Sequence, residues 1–491
     1  MGKAVGGAVG APYEGVPGPL NLKPDKITFD TVAPNDDLEL QLLWLVFAEK
    51  YGLKLNSQHL SEAWTDWIGY GMDEYGVAIR NLKRGIMPPY SGYVDNWFTD
   101  GMGAAIRSEI WACLFPGNPG MAARYAAYDA MIDHHRDGVW AEMFWAATES
   151  AAFLGYSTRR SMEIALKYIP GDSRISQAVN FMFDQYDVKS VDFSLLRGVI
   201  MQAYGSHNFA DCVMNLCFSV AALLWHKDFA DRVVAAANFG MDTDCTAATV
   251  GALTAIEQGA EAIPESWRKF AAENIEVSDF LKRPEIPRTV EALSRRVEKL
   301  AEEKFAGELA ECECLLPEYE PVPTNWAVPT ACKSRWLALP LNSNEDFQAV
   351  PERVFRAVEK PASMLNSLVE FPGHSFKVSG LAPAHGTIFW LTFLTVEKDY
   401  DQAQLMVCAN TGLTAWFGGK QVINYHGRLP VLPAFHRTEG GATVPVELKK
   451  DAPIPLLIRL LWSHDPIEIC VGIADMNNQH IISAKFDIPG A

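Results

Sequence analysis

Residues 238–253 read NFGMDTDCTAATVGAL, a polar turn carrying Asp242 and Asp244 that runs straight into a stretch of small residues with helical character. Aspartates at a helix start are favoured by capping and by the helix dipole, so local structure alone explains such a pair. The small side chains that follow let a helix approach its neighbours closely, which predicts a place near the centre of a bundle. The surrounding chain agrees. DLELQLLWLVFAEKYG at 37–52, GVWAEMFWAATESAAF at 138–153, NFADCVMNLCFSVAALLWH at 208–226, FADRVVAAANFG at 229–240 and VEALSRRVEKLAEEKFAGELAE at 290–311 have helical periodicity or apolar runs too long for single strands. From about residue 37 to 303 the expectation is all-α.

A chain of 491 residues exceeds the size at which one core usually stops growing, so two domains are expected. The segment LLPEYEPVPTNWAVPTACKSR, residues 315–335, brings prolines at 317, 321, 323 and 329, which stiffen a linker and end helices. The expected division is a helical domain over 1–315, a linker over 316–335 and a second domain over 336–491. In that second domain TIFWLTFLTV, QLMVCANT, LTAWFGGKQVINY, ATVPVELKK, PIPLLIRLLW and IEICVGIAD alternate with turn residues and predict a β-sandwich. TGLTAWFGGKQV at 411–422 and VPVELKKDAPIPLLIRLLW at 444–462 resemble the strands of jelly-roll modules appended to glycan-active enzymes, which makes it jelly-roll-like by resemblance. Its expected roles are carbohydrate binding through Trp416 or Trp462, covering of the helical domain, or homodimerisation.

The net charge of −18 repels phosphate backbones, and no Lys/Arg cluster of the kind that binds nucleic acid interrupts it. No run of eighteen apolar residues offers a membrane span. Nine scattered cysteines lack zinc or disulfide spacing, and Cys312 and Cys314 in ECEC have no second pair nearby. The start, MGKAVGGAVGAPYEGV, does not read as a signal peptide, so a cytoplasmic location is expected, or a periplasmic or secreted one if a leader has been removed.

Two acidic turns precede helical patterns about two hundred residues apart, APNDDLELQL at 33–42 and GMDTDCTAA at 240–248. Their convergence would gather carboxylates that only a hard divalent cation makes tolerable, since Mg²⁺ and Ca²⁺ take oxygen ligands. Three stretches, GGAVGAPYEG at 6–15, NDDLELQLLW at 35–44 and GMDTDCTAATVGAL at 240–253, resemble in order the motifs of the ADP-ribosylglycohydrolase family. DGMGAAIRSE at 100–109 resembles that family's glycine-rich substrate loop, and DHHRDGVWAEMF at 133–144 its His-containing segment.

The resemblance implies an all-α domain with one or two divalent cations, Mg²⁺ first, with Ca²⁺ or Mn²⁺ as alternatives. It implies hydrolysis at the anomeric carbon of an ADP-ribosyl or related glycosyl substrate. Asp36, Asp37, Asp242 and Asp244 become the metal ligands, with Asn35 and Cys245 occupying the two positions where the family has threonine. Glu14, Asp36 and Asp244 are the candidate catalytic carboxylates. Asn96, Gly101, Gly103, His134 and His135 are the candidate substrate contacts, and Arg107 is either one of these or a structural ion-pair partner. Departures from the family pattern are Asn35, whose amide oxygen is still a hard ligand, and Cys245, whose sulfur suits Mg²⁺ poorly and leaves Thr243 or Thr246 as stand-ins. Gly7 stands where the family has Asp. Two alternatives follow from them: a glycoside hydrolase acting on a carbohydrate other than ADP-ribose, and a catalytically degenerate binder of glycans or nucleotide sugars.

Overall fold

A computed structural model describes residues 1–29, 34–188, 192–272, 275–282, 285–287, 289–306, 319–323, 325–340, 349–357, 367–380 and 386–490. Residues 316–318 and 324 of the expected linker, and Cys312 and Cys314, lie outside the described residues. The chain divides into two compact units. One holds Met1–Gly69, Met87–Tyr93 and Phe98–Val322; the other holds Tyr70–Ile86, Val94–Trp97 and Pro323–Ala491. No helix among the described residues is long and apolar enough to cross a membrane.

The first unit is helical, as its periodicity predicts. Asp36–Tyr51, Asp137–Ala152, Cys212–Trp225, Phe229–Asn238 and Thr243–Gln258 are α-helices, and Val290–Leu300 continues into a π-turn at Ala301–Ala306. From Gly138 to Ala152 every residue is buried, so this helix runs through the core and its lack of a polar stripe is accounted for.

One helix goes against its sequence. Gly2–Gly10, GKAVGGAVG, carries four glycines in nine residues, each of which disfavours a helix by about 1 kcal/mol relative to Ala. It forms because it packs antiparallel on Thr243–Gln258 with backbones nearly touching. A β-carbon on Gly6 would lie 2.1 Å from the Ala247 carbonyl oxygen, and one on Gly10 2.1 Å from that of Thr243. Gly2 meets Gly251 in the same way, at 2.2 Å. The four-residue spacing of Gly2, Gly6 and Gly10 therefore matches that of Gly251, Ala247 and Thr243, one small-residue ridge against another. The Thr243 hydroxyl closes the seam by donating to the Gly10 carbonyl at 2.8 Å.

The second unit is built on two antiparallel sheets. Its strands are β1 (Ser334–Pro340), β2 (Leu368–Phe371), β3 (Ser375–Val378), β4 (Thr387–Thr395), β5 (Tyr400–Ala409), β6 (Leu413–Phe417), β7 (Lys420–Tyr425), β8 (Gly441–Leu448), β9 (Ile454–Leu461), β10 (Ile467–Ala474) and β11 (Lys485–Asp487). One sheet has the order β2-β1-β4-β9-β6-β7, with β11 also on β4; the other is β3-β10-β5-β8. Trp336, Trp390 and Ile458 from the first sheet and Phe376, Leu405 and Ile469 from the second share one apolar core, which makes the pair a β-sandwich.

Strand β4 shows why TIFWLTFLT carries apolar residues toward both faces. Ile388, Trp390 and Leu394 face the sandwich core, while Phe389, Leu391 and Phe393 pack on Val350 and Val354 of the Val350–Ala357 helix. The strand is buried on both faces and loses its alternation. Trp416 and Trp462, the candidate sugar contacts, are both partly buried against these cores.

A helix from the first quarter of the sequence, Asp73–Lys83, belongs to this unit as well. Arg437 pairs with Asp73, and Arg84 donates to the Ile482 and Ala484 carbonyls. Asp95 accepts from the His374 and Ser375 amides while pairing with Arg80 at 3.1 Å.

Candidate active site

The two acidic turns converge. Asn35 caps the Asp36–Tyr51 helix, its Oδ1 accepting from the Asp37 amide at 2.7 Å, and its Nδ2 reaches Asp244 Oδ2 at 3.4 Å. Oxygens of Asp37 and Asp244 and the sulfur of Cys245 all lie within 4.8 Å of one another, and all three residues are buried. The Cys245 thiol donates to Asp37 Oδ1 at 3.4 Å. Asp242, also buried, immediately precedes the Thr243–Gln258 helix, and its carboxylate interacts with both Asp244 and Cys245. Asp36 is half-buried, close enough to raise the Asp37 carboxyl.

This gathering is electrostatically unfavourable by itself. Burial, then the Asp244 and Asp36 charges, push the Asp37 carboxyl well above the usual carboxylate range against the pull of Lys3. Asp242 is likewise pushed well up, by burial first and Asp244 next, with Glu14 and Asp37 adding to it. Burial raises Asp244, and burial followed by the Asp242 and Asp244 charges raises the Cys245 thiol. Among the described residues Asp37 Oδ2, Asp242 Oδ1 and Asp244 Oδ1 are buried without a hydrogen-bond partner. Three orphaned carboxylate oxygens in a buried cluster fit a divalent cation, which would both coordinate them and cancel their repulsion.

Below the cluster lies a support that sequence reading did not find. Lys3, buried, donates to Glu109 Oε1 at 2.9 Å, and Gln41 Nε2 donates to Glu109 Oε2 at 2.7 Å and to the Asp37 carbonyl at 2.8 Å. Burial opposes the Lys3 charge, but Glu109 and Asp37 outweigh it and hold the ammonium above its usual range. The available signal was the spacing of Gly2, Gly6 and Gly10, which marks a packed helix and therefore a fixed Lys3.

The other predicted residues fall in different places. Glu14 is exposed, directly after a short 3₁₀ turn, on a loop tied to the second acidic turn by Gly15 N to Met241 O at 2.9 Å and Met241 N to Val16 O at 2.7 Å. Asn96 lies in the second unit, whereas Gly101, Gly103, His134 and His135 lie in the first. Thr243 and Thr246 direct their hydroxyls to the Gly10 and Thr243 carbonyls and do not stand in for Cys245.

Arg107 is a structural ion-pair partner. It is fully buried and donates to both oxygens of Asp129 and both of Asp133, at 2.9 to 3.1 Å, and to the Gly103 carbonyl. Burial pushes Asp133 up, but Arg107 and His134 outweigh it and hold the carboxyl at about 2. His134 Nδ1 is 2.9 Å from Asp133 and the residue is fully buried. His135 contacts the Tyr319 hydroxyl at 3.1 Å, and burial followed by Arg136 pulls its imidazole down to about 4. Arg107→Met should strand two buried carboxylates and cost about 3–5 kcal/mol, read as a lower urea midpoint for the full chain, with Arg107→Lys intermediate.

A family model described as ADP-ribosylglycohydrolase matches residues 1–306. Among solved structures, an ADP-ribosylglycohydrolase-related protein complex is 18% identical, with 61% of this chain and 95% of that chain covered and a TM-score of 0.43. An anti-sigma factor domain-containing protein from Clostridium clariflavum is 7% identical, over 30% of this chain and 45% of that one, with a TM-score of 0.19. A β-glucosidase from Kluyveromyces marxianus in complex with glucose is 10% identical, over 29% and 15%, with a TM-score of 0.19. No curated protein matches. The family match takes in both acidic turns and well over half of the sequence, and the chain belongs to the ADP-ribosylglycohydrolase family.

Proposed function

We propose that the helical unit is a divalent-cation-dependent glycohydrolase that cleaves the bond at the anomeric carbon of an ADP-ribosyl or closely related glycosyl group. The observation that carries this reading is the set of buried, unpartnered oxygens on Asp37, Asp242 and Asp244. Asp37 and Asp244 would hold the cation, with Asp242, Asp36 and the Asn35 amide beside them. A bound Mg²⁺ supplies positive charge that orients sugar hydroxyls and makes an associated water more acidic.

The chain's own residues do the rest. Lys3 and Glu109 brace the Asp37 turn from below, and the seam between the Gly2–Gly10 and Thr243–Gln258 helices fixes Asp244. Glu14, exposed on a loop pinned beside Asp242, takes a proton from water as general base. The water oxygen bonds to the anomeric carbon as the glycosidic bond breaks, and the leaving atom takes up the proton that Glu14 received. Cys245 favours a second reading, since its thiol engages Asp37 Oδ1 where a hard ligand would serve Mg²⁺ better. That reading is a degenerate binder.

The test is release of free ADP-ribose from mono-ADP-ribosylated protein, run beside a panel of plant and microbial glycosides. Release that EDTA abolishes and Mg²⁺ restores supports the enzyme. A Mg²⁺-induced rise in melting temperature without release from any substrate supports the binder, and the absence of both overturns the metal centre.

A further inference from the structure

The second unit contains a cavity of about 650 Å³ whose lining runs against the charge of the chain. Arg80, Lys83 and Arg84 from the end of the Asp73–Lys83 helix meet Lys398 and Lys485 from the sandwich there. Two carboxylates, Glu397 and Asp475, also line it, and Asp475 Oδ1 is already taken by the amides of Asn477 and Gln479. Arg80 is satisfied by Asp95. Among the described residues none of Lys83, Arg84, Lys398 and Lys485 is paired with a carboxylate. In a protein of net charge −18, this lining gathers five cations against two carboxylates.

Arg84 carries the strongest part of the case. Its guanidinium is oriented by three hydrogen bonds to the carbonyls of Ile482 and Ala484, and Asp95, the ion-pair partner of Arg80, offsets only part of its charge. Burial, then the neighbouring Arg80, pull it down to about 10. His480, in the same lining, is pushed well below its usual range by burial and by Arg80, His374 and Arg84. A pre-oriented Arg with lysines on flexible stems around it is a recognition set for tetrahedral oxyanions.

We infer that this cavity binds a small molecule bearing a phosphate or sulfate ester, its anionic group held by Arg84, Lys398 and Lys485. The volume is in the range of pockets that hold a sugar- or nucleotide-sized molecule rather than a lone inorganic anion. Tyr400, also in the lining, offers an apolar ring face for the remainder, with the Lys398 ammonium 5.0 Å from its centroid.

The experiment is calorimetric titration of the full chain with pyrophosphate, glucose 6-phosphate and glucose 6-sulfate, with plain glucose as the uncharged control. Saturable binding of at least one anionic probe, absent for glucose and weakened by added salt, is expected. Preference between the phosphate and sulfate esters identifies the source of the anion. Lys398→Glu with Lys485→Glu, both at exposed positions, should weaken binding about tenfold or more. Arg84→Met should do the same if it folds, and the lysine pair keeps the test decisive if it does not. Lys450→Glu, an exposed lysine outside the cavity, should leave affinity unchanged. No binding by the wild type, equal binding by the double variant, or an equal loss with Lys450→Glu would each overturn the assignment.

Discussion

Asp244→Asn is expected to raise the melting temperature of the metal-free protein while abolishing its response to Mg²⁺ and cutting its turnover sharply. Asp244 is buried among Asp37, Asp242 and the Cys245 thiol, and one of its oxygens has no hydrogen-bond partner. The amide keeps the shape and can still accept from Asn35, but it removes one charge from a cluster in which Asp37, Asp242 and Asp244 are each pushed upward. Relief of buried like-charge repulsion of this kind is worth about 1–3 kcal/mol, or a rise of about 2–4 °C per kcal/mol for a domain of this size. Loss of a ligand that acts on the transition state should reduce turnover by about 10³-fold. The two signs separate function from folding. If the variant melts lower than the wild type in EDTA, or still gains stability from Mg²⁺, the turn is structural and the cation reading fails.

Gly6→Ala is expected to destabilise the helical unit strongly. Its β-carbon would lie 2.1 Å from the Ala247 carbonyl oxygen and 2.9 Å from the Ala248 Cα, both backbone atoms that cannot rotate away. The two helices must separate, and overpacking of this kind costs about 3 kcal/mol, or roughly 6–12 °C in melting temperature. Ala247 is one turn from Asp244, so Mg²⁺ affinity should fall with it. Gly7→Ala is the control. There the nearest atom is Asn35 Nδ2 at 3.3 Å, and the gain of about 1 kcal/mol in helix propensity should leave stability level or raised. Equal effects from the two substitutions would show that the seam is not the tight contact described.

How much of this was legible beforehand depended on whether the signal was local. The Thr243–Gln258 helix and the strands of the sandwich announce themselves in period and turn residues, and the two acidic turns carry their pairing in a family pattern that spans them. The Gly2–Gly10 helix could not be read, because its glycines are favourable only once a ridge about 240 residues away lies against them. Nor could Asn96: local composition places it beside the glycine-rich loop, yet Val94–Trp97 folds with the second unit. Arg107 could be read both ways from sequence. Only the positions of Asp129 and Asp133, four residues apart with nothing local that marks them as its partners, decide for the ion pair. Strand β1 and the Val350–Ala357 helix went unread because Pro-rich flanks and short length hide their periods.

The same seam sets a schedule for biosynthesis. Gly2–Gly10 leaves the ribosome about 240 residues before the ridge that makes it helical, a wait of roughly 10–50 s at ordinary elongation rates. Through that interval a glycine-rich segment with too little propensity to fold alone must stay unfolded without finding another partner. Its low side-chain bulk, which permits the final close approach, also gives aggregating chains little to hold.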